Sequence, residues 1–182
     1  MGDWFQSVVD RDATESEAPE LGAAILEWLV DEGIVTSDAT DCVLGSDTGY
    51  PPGPNYHKAT GGTDEHLLQL VTNGLDVITK RNVFHSGQGG FELICSACSD
   101  RIEVPETWGD AVGEWYENKG PGLLACPRCG ERQPINEWEH DPPWGFANLG
   151  FKFWNWPALT DDFVKDIAEH LGHRVLLVAG KL

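Results

Sequence analysis

Four of the five cysteines in this 182-residue chain fall into two Cys-x-x-Cys pairs, Cys95/Cys98 and Cys126/Cys129. A thiolate pair spaced this way can hold one metal ion from a tight turn whose backbone amides point at the sulfurs. Two such pairs complete a tetrahedral four-sulfur shell with no position left for water or substrate, the closed coordination of a structural zinc site. Such a site supports folding rather than turnover. A thioredoxin-like dithiol would need a lone reactive pair at a helix N-terminus, and here there are two pairs. The pattern therefore predicts structural Zn2+ held by Cys95, Cys98, Cys126 and Cys129. Cys42 stands alone and reads as a small buried hydrophobe.

The run Cys126-Pro127-Arg128-Cys129-Gly130 resembles the knuckles of zinc-ribbon proteins, in which proline shapes the turn and glycine permits left-handed backbone after the last ligand. Cys95-Ser96-Ala97-Cys98-Ser99 has serine where glycine is common, which leaves the form of that turn open. The resemblance covers residues 91–141 alone. It implies a metal and no one function, since ribbons occur in nucleic-acid binders, enzymes and interaction modules. Residues 151–156 and 170–182 resemble uncharacterised bacterial proteins, a likeness that implies no activity.

Other residues compete for a role. Trp138, Trp144, Trp154 and Trp156 form the densest aromatic region and read either as core or as an exposed recognition surface. His57, beside Tyr56 in a proline-rich loop, is the histidine most suited to an exposed site, and with Asp47 and His85 it would furnish acid-base chemistry if the fold brought the three together. Glu139-His140-Asp141 are consecutive and do not naturally converge on a metal. His170 and His173 flank a helix end, where a cation complements the dipole. The cluster Ser86-Gly87-Gln88-Gly89-Gly90 has no following Lys-Ser/Thr and reads as a turn, not a phosphate loop.

The chain carries 12 basic and 30 acidic residues, for a net charge of −18. Residues 1–65 contribute −12, residues 66–90 +1, residues 91–141 −7 and residues 142–182 nothing. Phosphate backbones repel such a polyanion, because nucleic-acid affinity rests largely on Lys and Arg displacing counterions. Solubility, a salt-rich habitat, or an acidic face that steers a basic protein partner all fit the charge. No segment reaches the roughly 18 apolar residues of a membrane span, and the opening Met1-Gly2-Asp3-Trp4 lacks the features of a signal peptide. A cytoplasmic protein is expected, where reducing conditions favour metal over disulfide for paired cysteines.

The elements that must position these groups follow from periodicity. Trp4–Val9 reads as a strand. A helix begins at Pro19, with Leu21, Ile25, Trp28 and Leu29 on one face and Gly33 beyond its end. Asp41–Leu44 suggests a short strand, Tyr50–Tyr56 excludes regular structure by its prolines, and Thr63-Asp64-Glu65 caps a short helix through Val71. Leu75–His85 reads as one long strand and Phe146–Trp156 as another. Thr160 caps a helix carrying Phe163, Ile167 and Leu171 that ends at Gly172, and Arg174–Ala179 is a final strand. Between the knuckles lie 27 residues, more than the usual spacing of about 15–20. Trp108, Ala111, Val112, Trp115 and Tyr116 predict a short helix in that excess.

Strand, helix, strand, then strand, helix, strand is the order of a split β-α-β arrangement. An α+β fold is expected, a ferredoxin-like sheet formed by residues 1–90 plus 142–182 with a zinc-ribbon insertion at 91–141. Both main helices should cover one sheet face. The other face needs a cover, for which the ribbon, the proline loop or a second subunit are candidates; oligomeric state is not legible. The leading functional expectation is a zinc-stabilised, acidic cytoplasmic binding or adaptor protein, such as an inhibitor or immunity protein against a basic toxin. A small-molecule enzyme with a pocket near the 45–62 loop and a nucleic-acid-binding ribbon are the alternatives.

Overall fold

In the computed structural model, which describes residues 2–64, 66–87 and 89–182, the chain is mixed α and β. It runs β1 (Trp4–Asp10), α1 (Ala18–Asp31), α2 (His57–Thr60), β2 (Gly74–Ile78), β3 (Asn82–Phe84), β4 (Glu92–Ile94) and β5 (Arg101–Ile102). There follow α3 (Trp108–Tyr116), β6 (Leu123–Ala125), β7 (Arg132–Pro134), β8 (Glu139–Asp141), β9 (Gly145–Ala147), β10 (Leu149–Trp154), α4 (Asp161–Leu171) and β11 (Val175–Lys181). Named strands pair antiparallel throughout.

Local chemistry explains where the two long helices start and stop. Before α1, Thr14 N–H donates to Glu17 Oε2 while Glu17 N–H donates to Thr14 Oγ1, a reciprocal pair that satisfies amides with no helical partner. Gly33 leaves the helix at φ +67°, a conformation that costs glycine nothing. Before α4, Thr160 Oγ1 accepts from Phe163 N–H at 3.2 Å, with Asp161 and Asp162 in the first turn. Both features favour the positive helix end.

The principal sheet has the order β11-β1-β10-β2. Its centre is β1, pairing β10 through Val8↔Phe151 and β11 through Val8↔Leu177. Alternation sends Val8, Phe151, Phe153 and Leu75 to one face, where they form a continuous core with Ile25 and Leu29 of α1 and Phe163, Ile167 and Leu171 of α4. Leu21 and Trp28 are only partly buried against it, because His170 stacks on Trp28 at 4.0 Å and shares its cover.

The opposite face is covered by segments expected to be strands rather than a cover. Phe5 and Trp154 pack against Cys42 and Val43 of the loop after α1. Val9 and Val178 pack against Phe84 and Ala147. Neither the ribbon nor the prolines supply this cover. The supposed strand at Asp41–Leu44 is irregular, tied instead by the isolated bridge Thr40↔Gly49 and by Tyr50↔Leu75.

Three further expectations need correction. The long strand at Leu75–His85 is two strands in two sheets, β2 and β3, with Thr79–Arg81 turning between them. Phe146–Trp156 likewise divides at Asn148 into β9 and β10. Alternation in both cases persisted across a change of sheet, which sequence period alone does not register. The helix expected after Thr63 is only a 3-10 turn at Leu67–Gln69, and Leu68, Leu70 and Val71 are exposed. With nothing to bury those side chains, a short helix gains too little to form. The capping Glu65, and Gln88 of the glycine turn, lie outside the described residues.

A second core gathers three short pairings, β3 with β9, β5-β4-β8 and β6 with β7. Leu93, Ile102, Trp115, Leu124, Ile135, Trp138 and Phe146 form it together with Cys95 and Cys126.

One ion pair ties the ends of the principal sheet together. The carboxylate of Asp10 is fully buried, accepts from Asp12 N–H and Ala13 N–H through Oδ1, and meets His173 Nδ1 at 2.8 Å through Oδ2. That hydrogen bond raises the His173 pKa. A group whose folded pKa is raised contributes stability that is fully present below its unfolded value, about 6.5, and is lost as pH rises through the folded value. The midpoint of urea unfolding should therefore fall as pH rises from about 6 towards 8, and His173→Asn should remove that slope. Parallel pH slopes in the two proteins would contradict the assignment.

Candidate metal centre

The two knuckles are built twice from the same backbone pattern. β4 enters the first and β5 leaves it; β6 and β7 do the same for the second. In the first, Ser99 N–H donates to Cys95 O at 2.8 Å and Cys95 N–H to Asp100 O at 3.1 Å. In the second, Gly130 N–H donates to Cys126 O and Cys126 N–H to Glu131 O, each at 2.8 Å. Ser99 at φ +61° occupies the left-handed conformation that Gly130 adopts at φ +77°. The first turn is thus of the same form as the second despite its serine, at the steric cost an L side chain incurs there.

The four sulfurs converge. Cys95 Sγ lies 3.8 Å from Cys129 Sγ, Cys98 Sγ lies 3.8 Å from Cys126 Sγ, and all four are within 4.8 Å of one another. A regular tetrahedron at the zinc–sulfur distance of about 2.3 Å has edges of about 3.8 Å. All are free thiols, and four soft donors in this arrangement suit zinc above the hard cations. The cluster is therefore consistent with a zinc-ribbon-like metal site.

Electrostatics point the same way. Amide hydrogen bonds from Cys129 and Arg128 pull the Cys126 thiol down to about 7. The Asp100 backbone also favours the Cys98 thiolate, yet burial and the three neighbouring thiols push it up to about 12. One sulfur ionises readily and the next resists, as expected where like charges crowd together. A cation at the centre would remove that resistance. Sequence reasoning missed one supporting residue, Gln133. Buried on β7, it donates from Nε2 to Cys95 Sγ at 3.5 Å and accepts Ser96 Oγ at 2.5 Å. A polar residue opposite Leu124 in a short strand was the available signal.

The remaining candidates are not brought together. His57 is exposed at the start of α2, its ring edge-on to Tyr56. Asp47 is exposed on its loop. His85 follows β3, packs on Trp144 and accepts from Gly87 N–H. No hydrogen bond or ion pair links any two of the three among the described residues. What the 45–62 loop does reach is Asp76, through Ser46 Oγ at 2.9 Å. Burial raises the Asp76 pKa and lowers that of its cross-strand neighbour Lys152, whose ammonium lies over the rings of Phe5 and Trp154.

Trp138, Trp154 and Trp156 are interior, 2 %, 2 % and 5 % exposed, so they form no recognition surface. Hydrophobic burial decides this, because each indole fills a separate part of the molecule: Trp138 the second core, Trp154 the loop-covered sheet face and Trp156 the helix-covered core. Trp144 alone is half-buried. Glu139, His140 and Asp141 alternate across β8, with His140 inside and Asp141 bound outside to Arg101. His173 does not cap α4 but pairs with Asp10; His170 bonds back to Asp166 O. Cys42 is buried beside Phe5, Val43 and Trp154, as a small hydrophobe would be.

Ser99→Gly should stabilise the metal-loaded protein by about 0.5–1 kcal/mol, since glycine relieves the left-handed strain and loses part of the gain to chain entropy. Gly130→Ser should destabilise it by a similar amount. Thermal unfolding of the two variants checks the pair, and equal shifts of one sign would contradict it. No protein-family model matches this chain, and no curated protein or solved structure does either.

Proposed function

We propose that the four cysteines hold one structural Zn2+ in a ribbon-like module centred on residues 91–141, and that the protein is a cytoplasmic binding or adaptor protein that uses its acidic surface on a basic protein partner. The observation that carries the metal is the convergence of four sulfurs within 4.8 Å of one another, two of the pairs at 3.8 Å. With four thiolates on one ion no position is open for substrate, so the metal's role is to hold two turns together. The sheet order β11-β1-β10-β2 with α1 and α4 packed on one face supports a split β-α-β, ferredoxin-like body. The second core extends past 91–141 to include Val83, Trp144 and Phe146, and would join module to body.

The binding surface is supported by where the acid sits. Glu103, Glu106, Asp110 and Glu114 are exposed in and before α3 and make no ion pair among the described residues, and Tyr116 at the end of that helix is also exposed. Such a face attracts basic proteins and repels nucleic acid. Among the described residues no helix is long and apolar enough to cross a membrane. An enzymatic role near the 45–62 loop has less support, because His57, Asp47 and His85 sit apart.

Two measurements test the two parts separately. Removing the ion with a strong chelator should unfold the second core while α1, α4 and the principal sheet persist, since metal affinity adds folding free energy where its ligands reside. Hydrogen exchange should show protection lost around Leu93, Leu124 and Ile135 but kept around Val8 and Phe151; a single concerted loss would refute the modular reading. Affinity capture from native lysate should recover a stoichiometric basic partner that dissociates as salt rises and is not retained by a Glu103→Lys, Glu106→Lys, Glu114→Lys variant. A monomer without a partner under gentle conditions would refute the adaptor role.

A further inference from the structure

Where β8 and β9 approach the start of β11, the molecule encloses a cavity of about 300 Å3. Its walls include Trp138, His140, Trp144 and Phe146 from the second core, Leu176 from β11 and Arg11 from the residue after β1. This is the small end of the range for ligand pockets, about 300–1,000 Å3, and its mix of apolar rings with a few polar groups is typical of them.

Several side-chain polar atoms beside this cavity complete no good hydrogen bond within the protein. His140 is 6 % exposed, and its ring nitrogens meet nothing in the protein beyond the Trp138 backbone. The indole N–H groups of Trp138 and Trp144 are also buried without acceptors. Such groups in one wall are costly unless something other than protein satisfies them. Arg11 adds a cation that donates to Asn136 O at 3.2 Å and forms no ion pair among the described residues. Its neighbour Asp12 is engaged with Arg174, and Glu139, which also lines the cavity, is exposed.

The imidazole adds no second charge. Burial holds the His140 pKa down at about 4, with a hydrogen bond to the Trp138 backbone acting the other way, so the ring is neutral near pH 7 and carries one donor and one acceptor. Its plane lies within 15° of the Trp144 indole at 6.0 Å, with Phe146 at 5.5 Å. The wall therefore combines flat aromatic surface, a neutral imidazole and one guanidinium at a single place.

We propose that this cavity is a binding site for a small aromatic carboxylate, its ring against Trp138, Trp144 and Phe146 and its carboxylate towards Arg11. Flat rings favour a flat ligand by stacking, and a guanidinium matches the two oxygens of a carboxylate. The site shares no residue with the four-cysteine cluster or the acidic face, so it stands whether or not a protein partner exists.

Indole-3-acetate and its neutral counterpart indole-3-acetamide are suitable probes for the zinc-loaded full chain. Calorimetry should show indole-3-acetate binding with 1:1 stoichiometry and the acetamide weaker by about tenfold or more, the scale of one charge-assisted hydrogen bond. Arg11→Gln should weaken the acetate to the level of the acetamide and leave the acetamide unchanged. In 15N NMR spectra the indole N–H signals of Trp138 and Trp144 should shift on addition of the acetate, while those of Trp28 and Trp154 stay put. The NMR readout needs no variant, so a poorly folding Arg11→Gln does not block the test. Unmoved signals at millimolar probe, equal affinity for acid and amide, or full affinity in Arg11→Gln would each overturn the proposal; the first would mean that ordered water alone fills the cavity.

Discussion

Four sulfurs within 4.8 Å of one another are a constraint that the rest of the second core obeys. Short strands of two and three residues such as β4, β5, β6 and β7 bury little by themselves, and an isolated hairpin of that size is marginal in water at best. Cys95 and Cys126 nevertheless sit in the interior beside Leu93, Leu124 and Ile135. The four sulfurs converge where the two knuckles meet, and the hydrophobic contacts of β4 and β6 surround them. Gln133 and the Arg128 amide are directed at sulfur, an arrangement that favours thiolate over thiol.

The principal sheet stands on the opposite principle. β1 is bonded along both edges, and its two faces are buried by different material: helices on one, the loop at 40–50 and the β3–β9 pair on the other. Burial of that extent needs no ion. The two regimes meet at β3 and β9, whose Phe84 and Ala147 serve the sheet while Val83 and Phe146 serve the second core. Alternation along a strand points successive side chains to opposite faces, and here it lets one strand pair belong to both.

This double membership is also what sequence periodicity could not reveal. α1, α4 and α3 were legible, because each has an apolar stripe, an entry such as Thr160 and, for the first two, a glycine exit, all local signals. The knuckles were legible from cysteine spacing, and even the serine departure at Ser99 proved compatible with the left-handed turn. By contrast, Leu75–His85 and Phe146–Trp156 keep their alternation while moving between sheets, so their breaks at Thr79–Arg81 and Asn148 depend on contacts with β9 and β3 that lie far away in sequence. The tryptophans stayed undecided between core and surface for the same reason. Trp138, Trp154 and Trp156 are close in the chain but fill three different cores, which proximity in sequence does not reveal. Gln133, His140 and Ser46 became meaningful only through partners or empty neighbours that no spacing rule predicts.

The distribution of unsatisfied polar atoms follows from this construction. A sheet whose strands run for five to seven residues closes its own backbone hydrogen bonds, although Ser7 and Trp154 still keep unpaired side-chain atoms. Three tiny pairings, held by sulfur at one end and by aromatic rings at the other, cannot bring enough backbone carbonyls to bear on the side chains they bury. The indole N–H of Trp108 and the ring nitrogens of His140 complete no good hydrogen bond, in the same neighbourhood as the indoles of Trp138 and Trp144. Aromatic packing offsets part of this cost, since Phe91, Trp108, His140 and Trp144 interact ring to ring at 4.6–6.4 Å and such pairs contribute about 0.5–1.5 kcal/mol each beyond area burial. Dense ring packing and a cluster of unpaired polar atoms therefore coincide at the junction of the two cores, beside the cavity.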